Sequence, residues 1–201
     1  MGRIFYIMGK SASGKDTVFK RLLEKNVLNF QTVCLYTTRP IRIGETDGVE
    51  YFFADQATLK RFQEEDKLIE VRTYPTIHGD WSYFTADDGQ IDLSKAEANY
   101  LMVGTLESYE KMRQYYGTDR LVPIYLEVKD NIRLKRALER EEQQKIPRYK
   151  ELCRRYLADE EDFKEENLRR CNIVNSYDNT KLEECLLEIE KDIRKYKNFV
   201  L

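Results

Sequence analysis

An α/β fold, a parallel sheet covered by helices with a small mixed unit inserted into it, is predicted by three stretches of this 201-residue chain. Arg3-Ile-Phe-Tyr-Ile-Met8 is an apolar run of strand length, and a glycine-bearing loop separates it from the helical pattern Val18-Phe-Lys-Arg-Leu-Leu23. From Tyr100 the same order returns, with an apolar run to Gly104, a helical pattern near Leu106 to Tyr116, and a second apolar run from Leu121 to Leu126. Between these halves lies the polar segment Tyr36 to Tyr51, whose Pro40, Gly44 and Gly48 rule out regular structure throughout, so it reads as a binding loop.

The first loop is the most informative. Gly9-Lys-Ser-Ala-Ser-Gly-Lys-Asp-Thr17 fills the GxxxxGK part of the P-loop pattern, in which backbone N–H groups and a helix N-terminus cradle phosphates and the lysine reaches the β and γ oxygens. Gly9, Ser11, Ala12, Ser13, Gly14, Lys15, Asp16 and Thr17 are therefore the candidate triphosphate contacts. The pattern calls for Ser or Thr after the lysine, with its hydroxyl on Mg²⁺; this chain has Asp16 there and Thr17 one place later. A carboxylate beside a triphosphate is repulsive unless it helps hold the metal. Thr17 is expected to supply the hydroxyl, and Asp16 to turn toward Mg²⁺ or away from the phosphates.

The remaining elements follow in order. Lys15 to Lys25 reads as a helix and Phe30 to Leu35 as a short strand. Asp55 is placed to cap a helix through about Glu65, and Leu68 to Tyr74 alternates like a strand with one wet face, with Trp81 to Thr85 as its pairing partner. Asp130 is placed to cap a charged helix to about Glu142, and Arg148 to Arg169 reads as one long helix after the break at Pro147. Ile173-Val174-Asn175 is a short strand. Thr180 and Glu183 form a capping box for a last helix to about Lys197, with Leu182, Leu186, Ile189 and Ile193 on one face.

Composition excludes several classes. A net charge of −2 lacks the excess of Lys and Arg that nucleic-acid backbones demand, so no nucleic acid is expected as a partner. Cys34, Cys153, Cys171 and Cys185 are scattered without a CxxC pair, which suggests neither zinc nor disulfides and fits a reducing cytoplasm. No segment has membrane-helix length, and a strand beginning at Arg3 leaves no room for a signal peptide. The single histidine, His78, has no partner pattern for a triad or a metal site.

A second phosphate site is suggested by Arg39 and Arg42 beside Tyr51. Two guanidiniums held close by a loop call for an anion, and Arg fits phosphate with a bidentate fork. The alternative, in which both arginines hold Glu45, Asp47 or Glu50 in surface pairs, stays open at this point.

Thr37-Thr38-Arg39, Arg42, Gly44-Glu45, Gly48 and Tyr51-Phe52-Phe53 resemble the GMP-binding signature of guanylate kinases, commonly TTRxxRxGExxGxxYxF. The resemblance implies a P-loop three-layer fold with a parallel sheet, an inserted nucleotide-monophosphate-binding subdomain and a helical lid. It divides a single domain into a core of about 1–36, 98–140 and 170–201, an insert of about 37–97 and a lid of about 141–169. It places the acceptor phosphate on Arg39, Arg42 and Tyr51, with Glu45 in the same loop. Leu68-Ile69-Glu70 looks like the family's Phe-Leu/Ile-Glu, whose glutamate takes the guanine N1–H and 2-amino group, donors that adenine does not offer on that edge. Tyr83 and Thr85 take the places of a Tyr-Gly-Ser that contacts phosphate and guanine. Arg136-Ala-Leu-Glu-Arg140 resembles the start of the lid, and Arg154 with Arg155 the arginine on its far side. Arg140 with Arg154 or Arg155 would then clamp the phosphates as catalytic groups beside Lys15 and Arg39, Arg136 would lie against adenine, and Asn175 is similar to the asparagine of a Val-x-Asn near adenine.

The implied activity is transfer of the γ-phosphoryl group of Mg²⁺-ATP to GMP or dGMP. The alternatives are a kinase for another phosphorylated small molecule and a non-catalytic binding module. Three departures from the family pattern stand out: Leu35 replaces a serine before the TTR, Leu101-Met-Val-Gly-Thr105 lacks the Asp-x-Asp of its strand, and Ala12 replaces a P-loop glycine.

Overall fold

The computed structural model describes residues 2–42, 44–76, 79–95 and 97–196, so the expectation for His78 and the very end of the last helix lie outside the described residues. The core sheet contains β1 (Arg3–Met8), β2 (Gln31–Thr32), β7 (Asn99–Val103), β8 (Leu121–Glu127) and β9 (Tyr177–Asp178), in the order β2-β7-β1-β8-β9. Every pairing in it is parallel. Central β1 is buried along nearly its whole length and reads as a continuous apolar run, as a strand covered on both faces must.

Helices cover both faces. On one side α1 (Lys15–Lys25) and α7 (Leu182–Arg194) bury Val18, Leu22, Leu186 and Ile189 against Phe5, Ile7 and Ile124. On the other, α3 (Leu106–Tyr116) buries Tyr109 and Met112 against Ile4, Tyr6 and Met8, the alternate residues of the same strand. The side chain of Tyr6 lies wholly inside, its hydroxyl 2.5 Å from the Ser108 hydroxyl, and it passes directly over Gly104.

The insert has a separate four-stranded sheet, ordered β4-β3-β6-β5, from β3 (Tyr36–Thr37), β4 (Phe52–Phe53), β5 (Leu68–Thr76) and β6 (Gly79–Ala86). It packs on α2 (Gln56–Glu64) through Phe62, Phe84 and Tyr36, whose ring stacks on Phe84 at 5.1 Å. Asp55 caps α2 as expected, accepting the Thr58 N–H at 2.7 Å. The remaining helices, α4 (Asp130–Glu142), α5 (Tyr149–Asp162) and α6 (Glu165–Arg170), precede the last strand.

Five local expectations give way to tertiary structure. The strand predicted over Phe30 to Leu35 shrinks to Gln31–Thr32, because the Gln90 amide takes both the N–H and the carbonyl of Cys34 at 2.9 and 3.1 Å. The long helix predicted to Arg169 breaks after Asp162; Phe163 stacks on Tyr125 at 5.5 Å, and the Asn167 amide takes the freed carbonyls of Glu161 and Asp162. Ile173 is not in a strand. Asn172 adopts a left-handed φ of 55°, and the Ile173 N–H closes α6 on the Leu168 carbonyl in a Schellman arrangement, which moves the strand to Tyr177–Asp178. Asp130 is the first residue of its helix and binds Arg133 instead of capping. Lys181 occupies the N-cap of α7 without a side-chain capping bond, its ammonium pairing with Glu184 at 2.8 Å, and the Thr180 hydroxyl is buried with no partner among the described residues.

A Cβ added at Gly104 would sit 2.0 Å from the Tyr6 hydroxyl oxygen and 2.7 Å from its ring. Gly104→Ala should therefore lose about 1–3 kcal/mol of stability through overpacking. Adding Tyr6→Leu should recover part of the loss. Equal denaturation midpoints for the wild type and Gly104→Ala would contradict this packing.

Candidate active site

The P-loop is built where β1 ends. Gly9 runs against the end of β8, where a Cβ would meet the Leu126 carbonyl at 2.5 Å. Gly14, at φ 89°, forms the N-cap of α1, and a Cβ there would meet the Asn179 amide at 2.5 Å. Between them Ala12 holds a left-handed φ of 61°, a conformation that costs a non-glycine residue on the order of 1 kcal/mol. Asp16 and Thr17 are exposed in the first turn of α1, where a carboxylate also complements the helix dipole.

Lys15 folds back on its own loop, donating to the carbonyls of Gly9 at 2.7 Å and Lys10 at 3.2 Å. Burial pushes its pKa down, and the carboxylates of Asp159 and Asp16 act in the opposite sense. Asp159 belongs to α5, and its carboxylate accepts the Ser11 N–H at 2.8 Å. Its neighbour Glu160 pairs with Lys10 at 2.7 Å. Arg133, only 2% exposed, completes the connection: it donates to the Ser11 carbonyl at 3.2 Å, pairs with Asp130 and Glu160 at 2.8 Å each and with Asp159 at 3.5 Å, and lies 4.8 Å from the Tyr156 ring centre. From the other side the Asn179 amide donates to the Ser13 carbonyl at 2.7 Å.

In the insert, Arg39 is buried at 3% exposure, 5.3 Å from the ring centres of both Tyr51 and Phe53, which meet edge to face at 6.2 Å beside it. Both ends of its fork are taken by Glu45, at 2.8 and 2.5 Å, and the guanidinium holds that carboxyl at a pKa of about 2. The same carboxylate accepts the Arg42 N–H at 2.8 Å, so Glu45 folds the loop while the Arg42 side chain stays exposed. Burial pushes the Tyr51 hydroxyl pKa up, and its ring meets Tyr83 at 5.6 Å.

Glu70 owes its position to a bulge. The register runs Leu68 to Ala86 and then Glu70 to Thr85, leaving Ile69 as the extra residue. Glu70 therefore faces Thr85, whose hydroxyl donates to it at 2.9 Å, and both are buried. Arg72 forks the same carboxylate, Nε to Oε2 at 3.0 Å and Nη2 to Oε1 at 3.3 Å.

Insert and lid side meet at a cleft of about 770 Å³ lined by Arg42, Trp81, Arg140, Lys145, Arg148 and Arg155. A narrow adjoining pocket places Arg140 and Arg155 beside Ser11 and Arg133, on the P-loop side. Its four guanidiniums and Lys145 outnumber the carboxylates of Glu141 and Glu151 in the same lining, each 3.8 Å from Arg155, so the cleft favours an anion on electrostatic grounds.

With this geometry in view, the chain can be set beside known proteins. Residues 1–83, which hold the P-loop, the arginine loop, Glu70 and Tyr83, match the profile described as "Guanylate kinase". The match covers the first 83 of the chain's 201 residues, so the likeness to guanylate kinases is carried by the P-loop and the insert. A guanylate kinase of Thermus thermophilus is 42% identical over 73 residues, 36% of this chain and 32% of that one. The guanylate kinase of Porphyromonas gingivalis is 29% identical over 126 residues, 63% of this chain and 65% of that one. The chain thus spans about a third of the length of the first of these curated relatives. A crystal structure of guanylate kinase from Anaplasma phagocytophilum shares the fold over 99% of this chain and 88% of that one, with a TM-score of 0.62 at 21% identity.

The structure gathers Gly9 to Thr17, Arg140 and Arg155 at one end of the sheet, and Arg39, Tyr51, Tyr83, Glu70 and Thr85 in the insert, with Arg42 at the shared cleft. Arg136 donates to the carbonyls of Asn179 and Thr180 at 3.1 and 3.3 Å, beside the P-loop. Arg154 is not drawn in: it is exposed and paired with Glu151 at 2.7 Å, which favours Arg155 between the two alternatives. Asn175 is not drawn in either. It is exposed and lines a different pocket with Val122 and Pro123, in the first half of β8, whereas the P-loop abuts Leu126 near that strand's end. Asn179, Arg133, Asp159, Arg148 and Arg72 escaped sequence reading. Asn179 was detectable in principle as the polar residue following the true edge strand; the others stand in charge-rich helices or a half-wet strand with no local mark.

Asn179→Ala removes the bond to the Ser13 carbonyl and should weaken ATP binding about ten-fold, the worth of one buried hydrogen bond. Asn175→Ala should leave it unchanged. Calorimetric titration of both variants with ATP decides between them, and a loss confined to Asn175→Ala would return the role to that residue.

Proposed function

We propose that the protein transfers the γ-phosphoryl group of Mg²⁺-ATP to GMP or dGMP, giving ADP and GDP or dGDP. The observation that carries this reading is the shared cleft, where Arg42 of the acceptor loop and Arg140, Arg148 and Arg155 of the lid side line one cavity. A donor-phosphate loop and an acceptor-phosphate loop opening on the same group of cations suit transfer between two phosphates, which hydrolysis of a single nucleotide would not require.

In this reading Gly9, Ser11, Ala12, Ser13, Gly14, Asp16 and Thr17 hold the ATP phosphates with Lys15, which leaves the carbonyls of Gly9 and Lys10 to reach them. Arg136 and Asn179 stand on the adenosine side. Arg39, Arg42 and Tyr51 bind the acceptor phosphate with Tyr83, Glu45 folds their loop, and Glu70 with Thr85 meets the base. Arg140 and Arg155 steady the migrating group when the lid (about 141–169) and the insert (about 37–97) close over the core and exclude water. The acceptor is already anionic, so alignment and charge carry the reaction without a general base.

Mg²⁺ fits the exposed pair Asp16 and Thr17, since this ion needs only one or two hard oxygen ligands from the protein beside nucleotide phosphates. When bound, it neutralises developing phosphate charge. Among the described residues no cluster of three metal-ligating side chains and no helix long and apolar enough to cross a membrane is found. Cytoplasmic GMP and ATP are the substrates this reading requires.

Incubation with ATP, Mg²⁺ and each nucleoside monophosphate in turn should release ADP with GMP and dGMP. Lys15→Met should lower kcat by at least about 100-fold, as removal of a charge aimed at the transition state does. No turnover with any acceptor, together with no ATP binding, would sink the reading; turnover with AMP or UMP but not GMP would remove the role of Glu70. Asp16→Ser should shift the Mg²⁺ dependence of turnover, and an unchanged dependence would count against a metal role for this carboxylate.

A further inference from the structure

We infer that Arg72 sets the acceptor-base specificity, and that by occupying Glu70 it makes the site nearly indifferent to the 2-amino group of guanine, so that GMP and IMP are accepted alike. This rests on the proposed reading of the insert as the acceptor site.

Counting the acceptor positions of one carboxylate leads there. An ionised carboxylate offers about four lone-pair sites, two on each oxygen. In Glu70, Oε1 accepts from the Thr85 hydroxyl at 2.9 Å and from Arg72 Nη2 at 3.3 Å, and Oε2 accepts from Arg72 Nε at 3.0 Å. One site remains, on Oε2. Reading guanine by both N1–H and its 2-amino group needs two. With one left, the N1–H shared by guanine and hypoxanthine can be met, and the 2-amino group, the only difference between those bases, loses its acceptor. The Arg72 Nη1 donors have no bond among the described residues, so the ion pair also presents donors suited to the 6-oxo group that both bases carry.

The pair is built in. The Glu70 and Arg72 side chains are 1% and 14% exposed, on the same face of β5 two residues apart. Opening it to free Oε1 would strand a buried guanidinium, so a base is not expected to displace Arg72. The end of β7, where Tyr6 lies against Gly104, brings Val103 and Thr105 and thus no second carboxylate to take the amino group.

The test compares kcat/KM for GMP and IMP, in the wild type and after Arg72→Ala and Arg72→Gln. A hydrogen bond to a charged group is worth roughly 10- to 100-fold, so the wild-type ratio should stay below about ten, whereas Arg72→Ala, which frees two acceptor positions, should raise it at least about ten-fold in favour of GMP. Arg72→Gln, which keeps one donor and the packing, should fall between. A change in absolute rate common to both substrates reports folding and cancels in the ratio. A wild-type preference for GMP above about ten-fold, or a ratio unmoved in both variants, would overturn the inference. If neither nucleotide is phosphorylated, the reading of the site as a kinase fails separately. The same ratio is then taken from calorimetric binding of GMP and IMP, where a strong GMP preference, or binding of neither, overturns the inference too.

Discussion

A guanidinium buried to 2% exposure must be paired, and the pairing of Arg133 ties the P-loop to α4 and α5. Its carboxylate partners come from its own helix and from α5, and its carbonyl partner comes from the P-loop. The backbone at Ser11 is thereby gripped on both sides of one residue, N–H by Asp159 and carbonyl by Arg133. A loop rich in small residues would otherwise sample many conformations. Here its shape depends on α4 and α5, distant in sequence, so the P-loop cannot move relative to the Asp159 end of α5 without breaking the contacts of Ser11 and Arg133.

The same constraint acts throughout the site. Cations assembled to meet phosphate repel one another, and without phosphate a folded chain must neutralise them itself. Glu45 does so for Arg39, Glu160 for Lys10, and Glu141 lies 3.8 Å from Arg155. Each carboxylate stands where phosphate oxygens can compete for the same donors. In the proposed reading, nucleotide binding is an exchange of anions, so its net gain would be smaller than the number of arginines suggests; the compensation would be specificity, because an acceptor that offers fewer anionic oxygens than the carboxylates it displaces would gain little.

Much of the architecture was legible because it depends on local pattern. β1, the glycine loop and α1 follow one another in about twenty residues, and the alternate burial of β1 on two helix layers appears as an unbroken apolar run. The arginine loop was legible as chemistry, since Arg39, Arg42 and Tyr51 share a short segment. Contacts made across the fold were not. The bulge at Ile69 that turns Glu70 toward Thr85 leaves no trace in the alternation of Leu68 to Tyr74. Ile173-Val174-Asn175 looks like a strand by composition, but Asn172 turns the chain and the Ile173 N–H is spent on closing α6, which transfers the strand, and the asparagine beside the P-loop, four residues onward. Arg133 stands in a helix so charged that a solvated face was the natural reading, and only the arrival of α5 buries it.

Lys15 shows how the exchange of anions bears on catalysis. Bound to two carbonyls of its own loop, it is desolvated but satisfied; burial lowers its pKa, and Asp159 and Asp16 oppose that shift only in part, with Arg140 and Arg133 adding to it. In the proposed reading, a lysine held by two carbonyls in a poorly solvated loop exchanges them for phosphate oxygens, so little reorganisation of solvent would remain when phosphate arrives. Asp16 contributes to this from an exposed position at the helix start, where a hydroxyl residue would add no charge. The departure at that position therefore has a physical use even before a metal binds, and it couples the P-loop lysine to the same surface that would receive Mg²⁺.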